Sequence, residues 1–132
     1  MKRLATILAG AALALGLPAA AAANPVEKGE ARLAKMLEGR VAGEPVRCIT
    51  TFRSDSPQVI PSVALVHKKG DTIYVARPVH PRSLGWDDVL VVNRFSPSRW
   101  CVDDQMRTVD RTSGMLSGIV FLEEFVPYTK AG

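Results

Sequence analysis

The sequence is short of the side chains that most often carry chemistry. It has two cysteines and two histidines, so only a few arrangements of nucleophile, base or metal ligand are open to it. Cys48 and Cys101 are too far apart to form a CxxC redox pair, and neither lies near His67 or His80, the only histidine bases available. A structural zinc site needs four ligands at recognisable spacing, which this chain does not offer. There is no GxSxG elbow, no glycine-rich phosphate loop and no calcium-loop pattern. The sequence therefore points to no catalytic, cofactor-binding or metal-ligating residue and to no cofactor.

Charge is missing from residues 4–23, a run rich in Ala and Leu. It follows a basic start, Met1-Lys2-Arg3, and ends in Ala21-Ala22-Ala23 before Asn24-Pro25. Basic start, apolar stretch and small-residue end are the three parts of a secretory signal. Gly10, Gly16 and Pro18 interrupt the run, which argues against a permanent anchor, and no cysteine follows it to take a lipid. The expectation is a signal peptide at 1–23 and a single mature domain at 24–132, periplasmic or secreted, with no stable membrane span after cleavage. Of 17 basic residues, Lys2 and Arg3 leave with the signal, so 15 remain against 13 acidic ones, a net charge of +2. So small an excess provides no clustered basic face for nucleic acid.

Two cysteines in an exported chain pair with each other. A Cys48–Cys101 disulfide is therefore expected, and the stretch it closes holds most of the strand signals. A mature chain of this size can fold alone, and a cross-link would help it.

Asn24-Pro25-Val26-Glu27 is a helix start: Asn24 caps, Pro25 suits the first position and Glu27 completes a capping box. The helix is expected over 25–38, with Val26, Leu33, Met36 and Leu37 on one face and Gly39 as its stop. Residues 39–45 read as a turn and 46–52 as a strand. Residues 53–61 read as a loop with at most a short edge strand at 58–60. A hairpin is expected from 62–68 and 71–77 around Lys69-Gly70, with Lys68 opposite Asp71, Val66 opposite Ile73 and Ala64 opposite Val75. Both faces of that pair carry apolar residues, which predicts cover on both sides. Residues 78–88 form a long loop. Val89-Leu90-Val91-Val92 looks like a buried central strand. A strand at 100–102 is expected to pass a bulge at Asp103-Asp104 and resume over 106–109. A strand at 116–122 follows, then a strand edge or tail to the end. The fold class is mainly β: a small antiparallel sheet, barrel-like or sandwich, with one short N-terminal helix.

The segments GRVAGEPVRCI (39–49), IYV (73–75), DVLV (88–91), WC (100–101) and FVPY (125–128) together resemble uncharacterised small exported proteins of Gram-negative bacteria, alphaproteobacteria in particular. The resemblance implies export and a two-cysteine domain. It implies no activity and carries over no catalytic position.

The remaining candidates have ordinary readings. His67, beside Lys68 and Lys69, reads as a surface histidine; His80 sits in a loop, where function is more easily placed. Asp87-Asp88 and Asp103-Asp104 read as turn or bulge residues. Residues 77–111 hold six arginines and five aspartates but no lysine or glutamate. Separate surface Arg–Asp pairs explain that composition more simply than a groove for an anionic glycan or carboxylated ligand.

Three functions fit. The first is a non-enzymatic exported domain that binds a protein partner or envelope component, which would show an exposed apolar or aromatic patch, with Trp86 or Trp100 as candidates. The second is a small periplasmic hydrolase using His80 and a loop aspartate, which would show that pair within hydrogen-bond reach. The third is a purely structural or stress-related envelope protein. The processing expectation has a direct test. Mass spectrometry of protein recovered from periplasm or medium should find a chain beginning at Asn24, and full-length protein in the membrane fraction would contradict it.

Overall fold

The computed structural model describes residues 24–52 and 56–132, together with Gly16 and Ala22. Apart from those two residues, the expected signal peptide lies outside the described residues, as do positions 53–55 of the expected loop.

Helix α1 (Pro25–Met36) starts as its sequence dictates. The Asn24 side chain accepts from the Glu27 N–H at 2.8 Å, and the Glu27 carboxylate accepts from the Asn24 N–H at 3.2 Å. This reciprocal pair satisfies two N–H groups that the helix itself cannot. The helix ends slightly earlier than expected, with Leu37 as its C-cap and Gly39 at φ +70° beyond it. Leu33 is its one fully buried residue, Met36 and Leu37 pack at the margin, and Val26 is exposed. Gly29 lets the helix approach closely, since a Cβ there would stand 2.8 Å from Val63 Cγ2 and 3.0 Å from Ile60 Cγ2.

Ten strands follow: β1 (Arg40–Ala42), β2 (Cys48–Thr50), β3 (Gln58–Ile60), β4 (Ala64–Lys69), β5 (Thr72–Ala76), β6 (Asp88–Asn93), β7 (Arg99–Cys101), β8 (Gln105–Asp110), β9 (Leu116–Val120) and β10 (Val126–Lys130). They form a five-stranded sheet ordered β1-β10-β5-β4-β3, a two-stranded ribbon β2-β7 and a three-stranded sheet β6-β8-β9. All pairings are antiparallel. The chain is mainly β, as its patterns imply; the sheets do not close into a barrel, and a sandwich describes them.

The central hairpin shows why. Neighbouring residues on a strand face opposite ways, and β4 is buried on both sides. Ala64 and Val66, with Ile73 and Val75 of β5, pack under α1 against Leu33, Ile60 and Val63. Leu65 and Ala76 face the other way, into a core shared with Ile49, Trp100, Met106, Val120 and Phe125. The layers are therefore helix, five-stranded sheet, then the two smaller sheets. The turn is Gly70-Asp71 rather than Lys69-Gly70, with Gly70 at φ +56°. Lys68 pairs with Ile73 and Val66 with Val75, a shift of two residues from the expected register. A shift of two leaves every side chain on its expected face.

Several segments differ from their sequence reading. The expected turn at 39–45 contains β1. Strand β10 lies between β1 and β5 instead of at an edge. Pro127 is tolerated there because its carbonyl, and so its missing N–H, faces Gly43 just beyond the end of β1, leaving the ladder to β5 intact. The run at 89–92 belongs to an edge strand rather than a central one. Residues 102–104 are a turn between two sheets, and the bulge lies at Thr108/Val109 instead.

Cys48 and Cys101 are bonded and lie directly opposite each other on β2 and β7, with Cα atoms 4.0 Å apart. The Val102 N–H donates to the Arg47 carbonyl one position away, so the cysteines occupy a non-hydrogen-bonded pair, where facing Cα atoms come closest. Trp100 points the other way and is fully buried, edge-on to Phe125 at 5.1 Å and to His67 at 6.4 Å. Its indole N–H has no acceptor among the described residues, so contact area alone holds it in place. Removing such a side chain costs about 3–5 kcal/mol.

The bond spans a separation of 53 residues. Closing a loop of that size stabilises the fold by about 4 kcal/mol in the chain-entropy model. A Cys48→Ala, Cys101→Ala double variant should therefore melt on the order of 15 °C lower than the parent. Thiol titration of the native and denatured parent should find no free thiol; two free thiols in protein from the periplasm would overturn this.

Candidate functional site

The three-stranded sheet has one face on the core and one face open. Cross-strand partners share a face, so register alone sorts its residues. Leu90, Thr108 and Gly118 form one inward row, and Val92, Met106 and Val120 another. Met106 and Val120 are buried in the core, with Leu90 and Val92 packed against it. The Thr108 hydroxyl donates to the Ser83 carbonyl at 3.1 Å, and a Cβ on Gly118 would meet the same carbonyl at 3.3 Å. The short 3-10 turn at Pro81–Ser83 thus lies against this inner face.

The outward rows are Val89, Val109 and Leu116, then Val91, Arg107 and Ile119, then Asn93 and Gln105. Phe121 continues the outward alternation beyond Ile119. Relative exposure is 61% for Leu116, 57% for Ile119 and 59% for Phe121, high values for large apolar side chains. Together with Gln105, Arg107 and the 102–104 turn they line a groove of about 520 Å³. Exposed apolar side chains gathered in a groove with a polar rim are a common mark of a binding surface.

The turn that walls this groove is held by Asp104, which is buried. Its carboxylate accepts from the Cys101 N–H at 2.9 Å and the Phe95 N–H at 3.2 Å. Asp103 points outward and pairs with Arg47 at 2.7 Å. The expected turn role of this aspartate pair is what the geometry displays. Asp87 pairs with Arg111 at 3.0 Å, and Arg94 donates to the Thr51 hydroxyl at 2.6 Å. Of the six arginines of 77–111, Arg77, Arg94 and Arg111 thus bond separate partners rather than lining one groove. Arg107 makes no ion pair among the described residues.

The histidines do not meet. His67, read as a surface residue, is 2% exposed and lies against Trp100; the two lysines that follow it are no guide, because strand alternation sends His67 inward where Lys68 goes outward. His80 is exposed. Its backbone carbonyl accepts from the Ser83 N–H and hydroxyl, while its ring has no hydrogen bond among the described residues. Trp86 is exposed, but beside Pro25 and Lys28 of α1 and away from the groove. Trp100 is core. Among the described residues no three His, Cys, Asp or Glu side chains are placed to share a metal ion.

No family model matches the chain, and neither does any curated protein or solved structure.

Among the described residues two carboxylates are held below their ordinary range. The Arg77 guanidinium bonds both oxygens of Glu30, at 2.7 and 3.1 Å, and lowers its pKa, while Glu30 raises that of Arg77. Asp110 is lowered by the Ser113 N–H and hydroxyl and by the Thr112 N–H, in the turn that leads into β9. The Glu30 bond ties α1 to the end of β5. A carboxylate with a depressed folded pKa stabilises the fold above its unfolded value and loses that contribution as pH falls through the folded one. Nearly half of each side chain is exposed, so Glu30→Gln should cost less than about 1 kcal/mol at neutral pH. Urea titrations should show that difference vanishing as pH falls below the ordinary glutamate value of 4.5. A difference that persists at lower pH would assign the effect to packing instead of charge.

Proposed function

We propose that this chain is an exported, non-enzymatic domain of the periplasm or the extracellular medium, and that it docks a protein partner or envelope component on the open face of the β6-β8-β9 sheet. One observation carries the reading: a sheet whose inner face already fills the core keeps Leu116, Ile119 and Phe121 exposed on its outer face. A sheet face with no binding role is ordinarily polar, because the alternation of a half-buried strand puts polar residues outward.

Export is supported by the charge-free apolar run at 4–23 with its small-residue end and by the Cys48–Cys101 bond, which persists in oxidising compartments. Among the described residues no helix is long and apolar enough to cross a membrane. Among the described residues a histidine–aspartate or histidine–serine side-chain pair, which a hydrolase reading would call for, is not assembled around His80.

The test compares immobilised wild-type protein with a Leu116→Ser, Ile119→Ser variant in binding from envelope extract. Both substitutions are at exposed positions, so the melting temperature should change little. The expected result is a component held by the wild type and by an Arg82→Ala control, and lost by the double variant. A component held equally by all three, or by none, would count against this face.

A further inference from the structure

We propose that the groove on this face takes an amphipathic monoanion: a single acyl chain ending in a carboxylate. The inference rests on the proposed docking role of the face and names its ligand class. The groove of about 520 Å³ lies within the roughly 300–1,000 Å³ range of small-molecule sites. Its walls combine the apolar side chains of Val102, Leu116, Ile119 and Phe121 with three charged groups: Asp103, Asp104 and Arg107.

The two aspartates are already engaged. Asp103 is neutralised by Arg47, and the Asp104 carboxylate is occupied by two backbone N–H groups. Among the described residues Arg107 alone of the three makes neither an ion pair nor a side-chain hydrogen bond, and it stands between Val91 and Ile119 in the middle row of the face. The side chain of Gln105 lies one row away on the same strand face, with amide N–H groups of its own to donate. A guanidinium fork matches a carboxylate in two parallel hydrogen bonds, and the apolar liners match a hydrocarbon chain. A second copy of the chain is a poorer occupant, because two such faces meeting about a two-fold through the middle row would set one Arg107 against another. A cationic head group set on Arg107 meets the same repulsion.

Isothermal titration of the purified protein with decanoate, kept below its micelle concentration, tests the assignment against decyltrimethylammonium, which has the same chain and the opposite charge, and butyrate, which has the same head and almost no chain. Decanoate should bind once per chain, and the other two should bind far more weakly. Arg107→Gln should weaken decanoate by about ten-fold or more, the loss of a charge-assisted hydrogen bond. Ile119→Ser should weaken it as well, and Arg82→Gln should leave it unchanged. Arg107 is exposed, so its variant should fold even if Ile119→Ser does not. Equal binding of anionic and cationic amphiphiles, indifference to Arg107→Gln, or no decanoate binding would each overturn the ligand class. If decanoate fails while the Leu116→Ser, Ile119→Ser variant still loses an envelope component, the docking face stands and its occupant is an apolar segment of a protein. If both fail, the face is not a binding site.

Discussion

Everything else in this fold depends on the three-residue strand β7. Trp100 and Cys101 are neighbours on it and so face opposite ways. One fills the core against Phe125 and His67; the other is bonded to Cys48. A two-stranded ribbon of three residues a side has too few hydrogen bonds to persist alone. The indole burial fixes where the ribbon sits, and the disulfide prevents its strands from separating. Phe125 carries the same constraint to the end of the chain, since its backbone exchanges two hydrogen bonds with Val46 just before β2.

The candidate site hangs from that joint. The turn after Cys101 is closed by Asp104, whose carboxylate takes the Cys101 N–H, and β8 begins directly after it. One wall of the groove is therefore covalently and electrostatically tied to the most constrained part of the core. The other wall, β9, is held by its ladder to β8 and by the packing of its inner face. A binding surface built on strands whose opposite face is already packed is rigid before any ligand arrives, which lowers the ordering cost of binding.

Local chemistry was legible in the residues themselves. Asn24, Pro25 and Glu27 announced the helix start because a capping box is complete within four residues. The strand patterns at 62–68, 71–77 and 116–122, seen in the structure as 64–69, 72–76 and 116–120, are readable because alternation and turn residues are nearest-neighbour properties. The cysteine pairing followed from the expected export and a count of two. The hairpin turn was placed one residue early, because Lys69-Gly70 and Gly70-Asp71 both offer Gly70 for the positive φ and only the strand ladder decides between them. Strand β1 was missed for a similar reason: Arg40-Val41-Ala42 has no alternation of its own and becomes a strand by adding to β10.

The candidate site was hidden in a pattern with two meanings. Val89-Leu90-Val91-Val92 is apolar on both faces, which describes a strand buried on both sides and equally a strand with one face in the core and the other open to a partner. Residues in the run itself are the same in both cases. What differs is whether another layer covers the second face, and that depends on chain packed from far away in sequence. The same holds for His67, polar by type and followed by two lysines, whose burial is decided by Trp100 from across the core. By itself the sequence determined the helix cap, the alternation of the strands and the chemistry of the two cysteines, because each is set by residues a few positions apart or by composition. Only the tertiary structure decided which apolar faces meet and which stay open, because burial is a property of surfaces brought together over long separations rather than of any one segment.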